Sequence, residues 1–152
     1  MEYAIENEYL IVTVTTWGAQ VKSVVRKFDD VEHMWQADKS VWGYHAPILF
    51  PHTGKVVDDL IETKGEVYQA KQHGFARLME HTLVRQTEDT IVMELRSSEE
   101  TLRIFPYAFR LVSTFTLAGD TLHHKLTVEN WDADKLYFGI GYHPSFTVPF
   151  DD

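Results

Sequence analysis

The chain has 152 residues with 14 Lys+Arg against 23 Asp+Glu, a formal net charge of −9, and no cysteine. That length suits about one domain, and 44% apolar with 13% aromatic residues is ample for a packed core, which excludes wholesale disorder. The acidic balance argues against a nucleic-acid partner, and the missing cysteines exclude a disulfide scaffold, thiol catalysis and any cysteine-ligated metal.

Period-two alternation dominates the chain and predicts antiparallel β-structure. Residues 9–15 and 19–27 read as a strand pair joined across Trp17-Gly18. Residues 60–70 read as a hairpin around Lys64-Gly65, and residues 81–96 as another around 86–90. A short helix is expected after Ser97, with Ser97 and Glu100 as a capping box, ending before Pro106. Phe109, Leu111, Phe115 and Leu117 fall on one strand face, as do Leu122, Leu126 and Val128 after the Ala118-Gly119-Asp120 turn. Residues 146–152 keep an apolar strand pattern without a polar tail, which reads either as a docked final strand or as a truncated chain. No apolar run reaches the roughly 20 residues of a membrane span. Met1-Glu2-Tyr3 shows no secretory leader, so the expected location is cytoplasmic with no membrane partner.

Eight histidines are the main source of chemistry. His123 and His124 are neighbours in one expected strand, so they point to opposite faces and cannot share a metal. His33 and His45 stand near Trp35 and Trp42, where loop hydrogen bonding is the default. No His-x-His or His-x-x-x-His pair occurs, so no metal ligand is nominated. His73, beside Gly74, and His143, between Gly141 and Pro144 at a strand end, stand apart by their surroundings. Gly139 and Gly141 leave room there for a ligand or for another backbone. Imidazole gives or takes a proton near neutrality, yet each histidine alone also fits a buried group bonded to a carbonyl.

Four segments occur in order: Pro47-Ile48-Leu49-Phe50-Pro51-His52-Thr53-Gly54-Lys55, His73-Gly74-Phe75-Ala76-Arg77, Phe105-Pro106-Tyr107-Ala108-Phe109 and Gly141-Tyr142-His143-Pro144-Ser145-Phe146. With Trp17-Gly18-Ala19-Gln20 and Met34-Trp35-Gln36-Ala37-Asp38, the series resembles the galactose mutarotase-like family, the aldose 1-epimerases. The resemblance implies an all-β antiparallel sandwich of which residues 1–152 are the N-terminal half, and interconversion of α and β anomers of aldohexoses without metal or organic cofactor. Such chemistry needs a base at the C1 hydroxyl and an acid at the ring oxygen.

By the same resemblance, His143 is the acid and His73 assists at the ring oxygen. Arg77 is a candidate for sugar contact or for a structural ion pair near His73. Lys55 stands where many members carry Arg and loses the bidentate fork. Phe146, Trp35, Trp42 and Tyr107 are candidates for stacking on a sugar face. The family's catalytic Glu belongs to the missing half, and no carboxylate here matches it. Asp38, Asp58, Asp59 and Glu62 read as solvated charges. An unclosed half-sandwich is expected to expose a sheet edge and to self-associate. The rival readings are a non-catalytic carbohydrate-binding module and a hexose-6-phosphate epimerase using Lys55, Lys71 and Arg77; a metal-dependent β-barrel enzyme ranks last.

Overall fold

The computed structural model describes residues 1–148 and is an antiparallel β-sandwich. The expected strand running through 146–152 therefore falls partly outside the described residues, at 149–152. The strands are β1 (Glu2–Glu6), β2 (Leu10–Thr15), β3 (Gln20–Arg26), β4 (Val31–Glu32), β5 (Ile48–Leu49), β6 (Leu60–Thr63), β7 (Glu66–Gln69), β8 (Thr82–Gln86), β9 (Thr90–Arg96), β10 (Phe109–Ala118), β11 (Thr121–Asn130) and β12 (Gly141–Tyr142). One sheet runs β1-β2-β3-β4 and the other β11-β10-β9-β8; two small ladders pair β5 with β12 and β6 with β7. Each expected hairpin forms around its expected turn.

Alternation decides which face is buried. Leu10, Val12 and Val14 of β2 point into the core, as do Phe109, Leu111, Phe115 and Leu117 of β10. Removing those side chains from water at roughly 25 cal/mol per Å² holds the two sheets together. Phe50, Phe75, Phe105 and Phe109 close one end of the core, with ring centroids 5.1–6.2 Å apart in tilted and edge-on pairs. His123 and His124 take opposite faces as expected: His123 is exposed, while His124 stacks on Phe115 at 4.2 Å and meets Tyr142 edge-on.

The helical turn α1 (Glu99–Leu102) starts one residue later than its sequence suggests. Ser97 donates its N–H to Phe109 O at 3.0 Å and so stays with the sheet. The capping box is therefore Ser98 with Thr101, not Ser97 with Glu100. Thr101 fits because it is fully buried, where a Glu would bring an unpaired charge.

Candidate functional site

The site grows from a close crossing of two chain segments. Gly74 adopts φ +68°, and a Cβ there would lie 2.2 Å from Phe50 O, so only glycine fits. Phe50 O accepts from Phe75 N at 2.9 Å and Ala76 N at 3.2 Å, which locks the His-Gly-Phe segment onto the end of β5. His73 itself sits at φ +66°, a conformation that costs a non-glycine residue about 1–3 kcal/mol and is held here by its surroundings.

Gly54 and His73 bond reciprocally: His73 N–H donates to Gly54 O at 2.8 Å, and Gly54 N–H donates to His73 Nδ1 at 3.0 Å. An Nδ1 that accepts carries no proton, so the neutral ring holds its hydrogen on Nε2. Burial first, then the charges of Arg77, His143 and His52, holds this imidazole below its ordinary value. His73 is thus a neutral Nε2–H donor near pH 7. The Gln72 side-chain amide lies 3.3 Å from Nε2; its oxygen accepts the Nε2 hydrogen when the amide is turned toward the ring.

His143 arrives from the far end of the chain. The β5–β12 pair places it one residue past the ladder, and its N–H donates to Pro47 O at 3.1 Å. Its exposed ring lies 4.9 Å from the Trp42 ring, centroid to centroid. Trp42 in turn lies 5.7 Å from Tyr44, and the Arg77 guanidinium sits 5.0 Å over Tyr44. A continuous wall therefore runs from His143 through Trp42 and Tyr44 to Arg77, four residues from His73. The loop bearing Trp42 is fixed by Trp35 Nε1 donating to Trp42 O at 2.9 Å and by Trp42 N–H donating to Asp38 O at 2.8 Å. Asp38 is a turn cap, with its carboxylate accepting from the Ser40 hydroxyl and N–H; those bonds hold it below the usual carboxylate range.

The other nominated residues separate. Arg77 forms no ion pair among the described residues, which corrects that expectation; its Nη2 donates to Gln72 O at 3.0 Å and its buried Nε has no hydrogen-bond partner. Lys55 is exposed and 3.8 Å from Asp59 Oδ2. Phe146 bridges to Met34 and lines a groove of about 770 Å³ with Tyr9, Val24, Phe28 and Leu122, a groove that contains neither His73 nor His143. Tyr107 is core, its hydroxyl bonded to Thr63. The room around Gly139 and Gly141 is taken by chain, not open to a ligand. A Cβ at Gly141 would lie 2.8 Å from Thr53 Cγ2, and Gly139 N–H donates to Pro51 O at 2.8 Å.

Sequence reasoning missed Tyr44, His52 and Gln72. Tyr44 carries no motif of its own, and only its position under Arg77 marks it. His52 lies inside a quoted motif, and its Nε2 is 2.8 Å from Lys71 O and 3.2 Å from Gly74 N. His45 Nδ1 lies 2.8 Å from Trp35 O, the loop hydrogen bond expected of it. Among the described residues no group of three or more His, Asp or Glu is arranged to hold a metal ion, and no helix is long and apolar enough to cross a membrane.

The family model described as aldose 1-epimerase matches residues 1–152. Protein LacX (plasmid) of Lactococcus lactis subsp. lactis is 34% identical over 156 residues, covering 98% of this chain and 52% of that protein. Among solved structures, a galactose mutarotase related enzyme from Lactobacillus acidophilus superposes with a TM-score of 0.97 at 36% identity, over 99% of this chain and 50% of that one. A galactose mutarotase-like protein from Lactobacillus casei gives 0.96 at 33%, over 99% and 51%. The chain spans about half the length of the curated relatives it matches.

Proposed function

We propose, from the premise that the chain belongs to the aldose 1-epimerase family, that a protein of the relatives' length built on this half interconverts the α and β anomers of aldohexoses. The observation that carries the reading is the pinned tautomer of His73 in a site that also feels the charge of His143. Anomer exchange requires the ring oxygen to gain a proton as the C1–O5 bond breaks, while a base takes the proton of the C1 hydroxyl. His143, in its protonated form, is the acid at the ring oxygen. His73, neutral, donates its Nε2–H to the same oxygen and orients the ring. Trp42, half-buried beside His143, supplies an apolar face for the sugar. The ring opens to the aldehyde, C1 rotates, and closure on the other face returns the protons.

The base is a carboxylate in the polypeptide this chain does not contain. Each of the two coupled proton transfers is worth ~10²–10⁴-fold, so residues 1–152 alone are expected to give little or no turnover. Polarimetry on glucose and galactose tests both statements. The longer protein mutarotates, and its His143→Asn and His73→Asn variants lose that activity by ~10²-fold or more. Full activity in those variants, or full rates from residues 1–152, contradicts the assignment. A binding module without catalysis would show sugar affinity in the longer protein and no optical change beyond the spontaneous rate.

One observation favours a second reading, a hexose 6-phosphate as substrate: Arg77 forms no ion pair among the described residues and its Nε has no hydrogen-bond partner. Titration calorimetry with glucose and glucose 6-phosphate separates the two, a clear preference for the phosphate supporting the second.

A further inference from the structure

The turn Lys71–Gly74 carries a histidine where turns of its shape take glycine or asparagine. Gly74 N–H closes the turn on Lys71 O at 2.9 Å, and His73, its third residue, has φ +66°. A bulky residue persists there only where its neighbours hold the backbone in place. Those neighbours come from one short loop, residues 52–54. Gly54 bonds His73 twice, through the backbone and through Nδ1. His52 reaches both ends of the turn itself, its Nε2 lying 2.8 Å from Lys71 O and 3.2 Å from Gly74 N. One ring nitrogen cannot donate to the first and accept from the second at once. Gly74 N–H already has an acceptor in Lys71 O, and a lone pair on Nε2 would face the lone pairs of that oxygen at 2.8 Å. The hydrogen therefore sits on Nε2, and Lys71 O accepts from both Gly74 and His52. Nδ1 of His52 is buried without a partner, so Lys71 O is the ring's one acceptor among the described residues.

We propose that His52 is a positioning residue of the site: by clamping the Lys71–Gly74 turn it holds the His73 imidazole where Nδ1 meets Gly54 N–H and Nε2 carries the hydrogen offered to the ring oxygen. The catalytic meaning of the clamp rests on the anomer exchange proposed above; the clamp itself rests on the bonds of the turn. His52 acts through His73 and needs no contact with the sugar. Its hydrogen bond belongs to Nε2, so the side chains that can replace it are defined. Glutamine places an amide nitrogen about where Nε2 lies, and can donate to Lys71 O. Asparagine ends short of it, near the position of Nδ1. Leucine donates nothing, and the His52 ring lines a cavity of about 300 Å³ walled in part by Ile61, Phe75, Met79 and Phe105, surroundings that accept an apolar side chain.

NMR on the isotope-labelled 152-residue chain reads the clamp without substrate. His52→Leu is expected to speed exchange of the Gly54 amide by about tenfold, with exchange in β9 and β10 unchanged. It also raises the Nδ1–H form of His73, read at about pH 9, where imidazoles carry no charge. His52→Gln keeps both at wild-type values, and His52→Asn behaves as the leucine variant does. Where the leucine variant does not fold, the glutamine and asparagine variants alone decide. In a protein of the relatives' length, kcat for mutarotation follows the same order while KM moves less: glutamine stays near wild type, and leucine and asparagine fall by about tenfold. An unchanged Gly54 amide and His73 tautomer in His52→Leu overturn the proposal. So does faster exchange spread evenly through β9 and β10, the mark of a purely structural role, and so does a glutamine variant that restores nothing. If exchange and tautomer follow the clamp but the longer wild-type protein does not mutarotate, the reaction assignment falls and the positioning of His73 by His52 stands.

Discussion

Gly74 and His73 form the strained point on which the site depends. Adding one methyl at Gly74 drives it into Phe50 O and holds the new residue at φ +68°, so Gly74→Ala is expected to cost about 4 kcal/mol or to prevent folding. A urea midpoint close to wild type would show that the crossing is looser than described. His124 gives a second prediction at this scale. Burial lowers it from 6.5 to about 4, and its buried Nε2 has no hydrogen-bond partner. Between those two values the unfolded chain binds more protons than the folded one. Stability is therefore full above pH ~6.5 and falls as the pH drops, by about 3 kcal/mol near pH 4. His124→Leu removes that part of the pH dependence, read as the difference between the two urea series. His73 and His143 were legible as residue types in suggestive surroundings; the left-handed backbone at His73 and the bond that fixes its tautomer were not, because both come from Gly54 and Phe50, far off in sequence.

The hairpins were legible because each carries alternation on both arms and a turn between them. β5 was not, since two residues have no period to read; β12 was legible as the strand end before Pro144, but its pairing with β5, which brings His143 to its place, was not. The one-residue error in the capping box comes from long-range pairing too, since only the bond from Ser97 N–H to Phe109 O shows that Ser97 is held by β10. The β6–β7 hairpin, which pairs with no other strand among the described residues, is tied down by its turn. Lys64 Nζ lies 2.9 Å from Asp132 Oδ1, 3.2 Å from Asp134 Oδ2 and 4.6 Å from the Tyr107 ring centroid. Asp132, accepting from Asp134 N–H and Ala108 N–H and then from Lys64, is pushed down to about 2. Lys64→Ala is expected to speed amide exchange across residues 60–69 and to raise the Asp132 value, with exchange in β9 and β10 unchanged. Unaltered exchange in the hairpin would mean that Thr63 and Tyr107 hold it without the lysine.

Across the whole molecule, family membership was readable because ordered short motifs survive where pairwise contacts cannot be read. The sandwich, the hairpins and the half-length match follow from that order. The site wall of His143, Trp42, Tyr44 and Arg77 was not readable, since three separate stretches meet only after the strands pair. The account rests on two imidazoles, 70 residues apart in the chain, sharing one site. Histidine-selected NMR titration of the 152-residue chain tests it most directly. His73 is expected as the Nε2–H tautomer, titrating below an ordinary imidazole, and His143→Asn is expected to raise that value by removing a neighbouring positive charge. A proton on Nδ1 of His73, or a titration untouched by His143→Asn, would contradict the shared site.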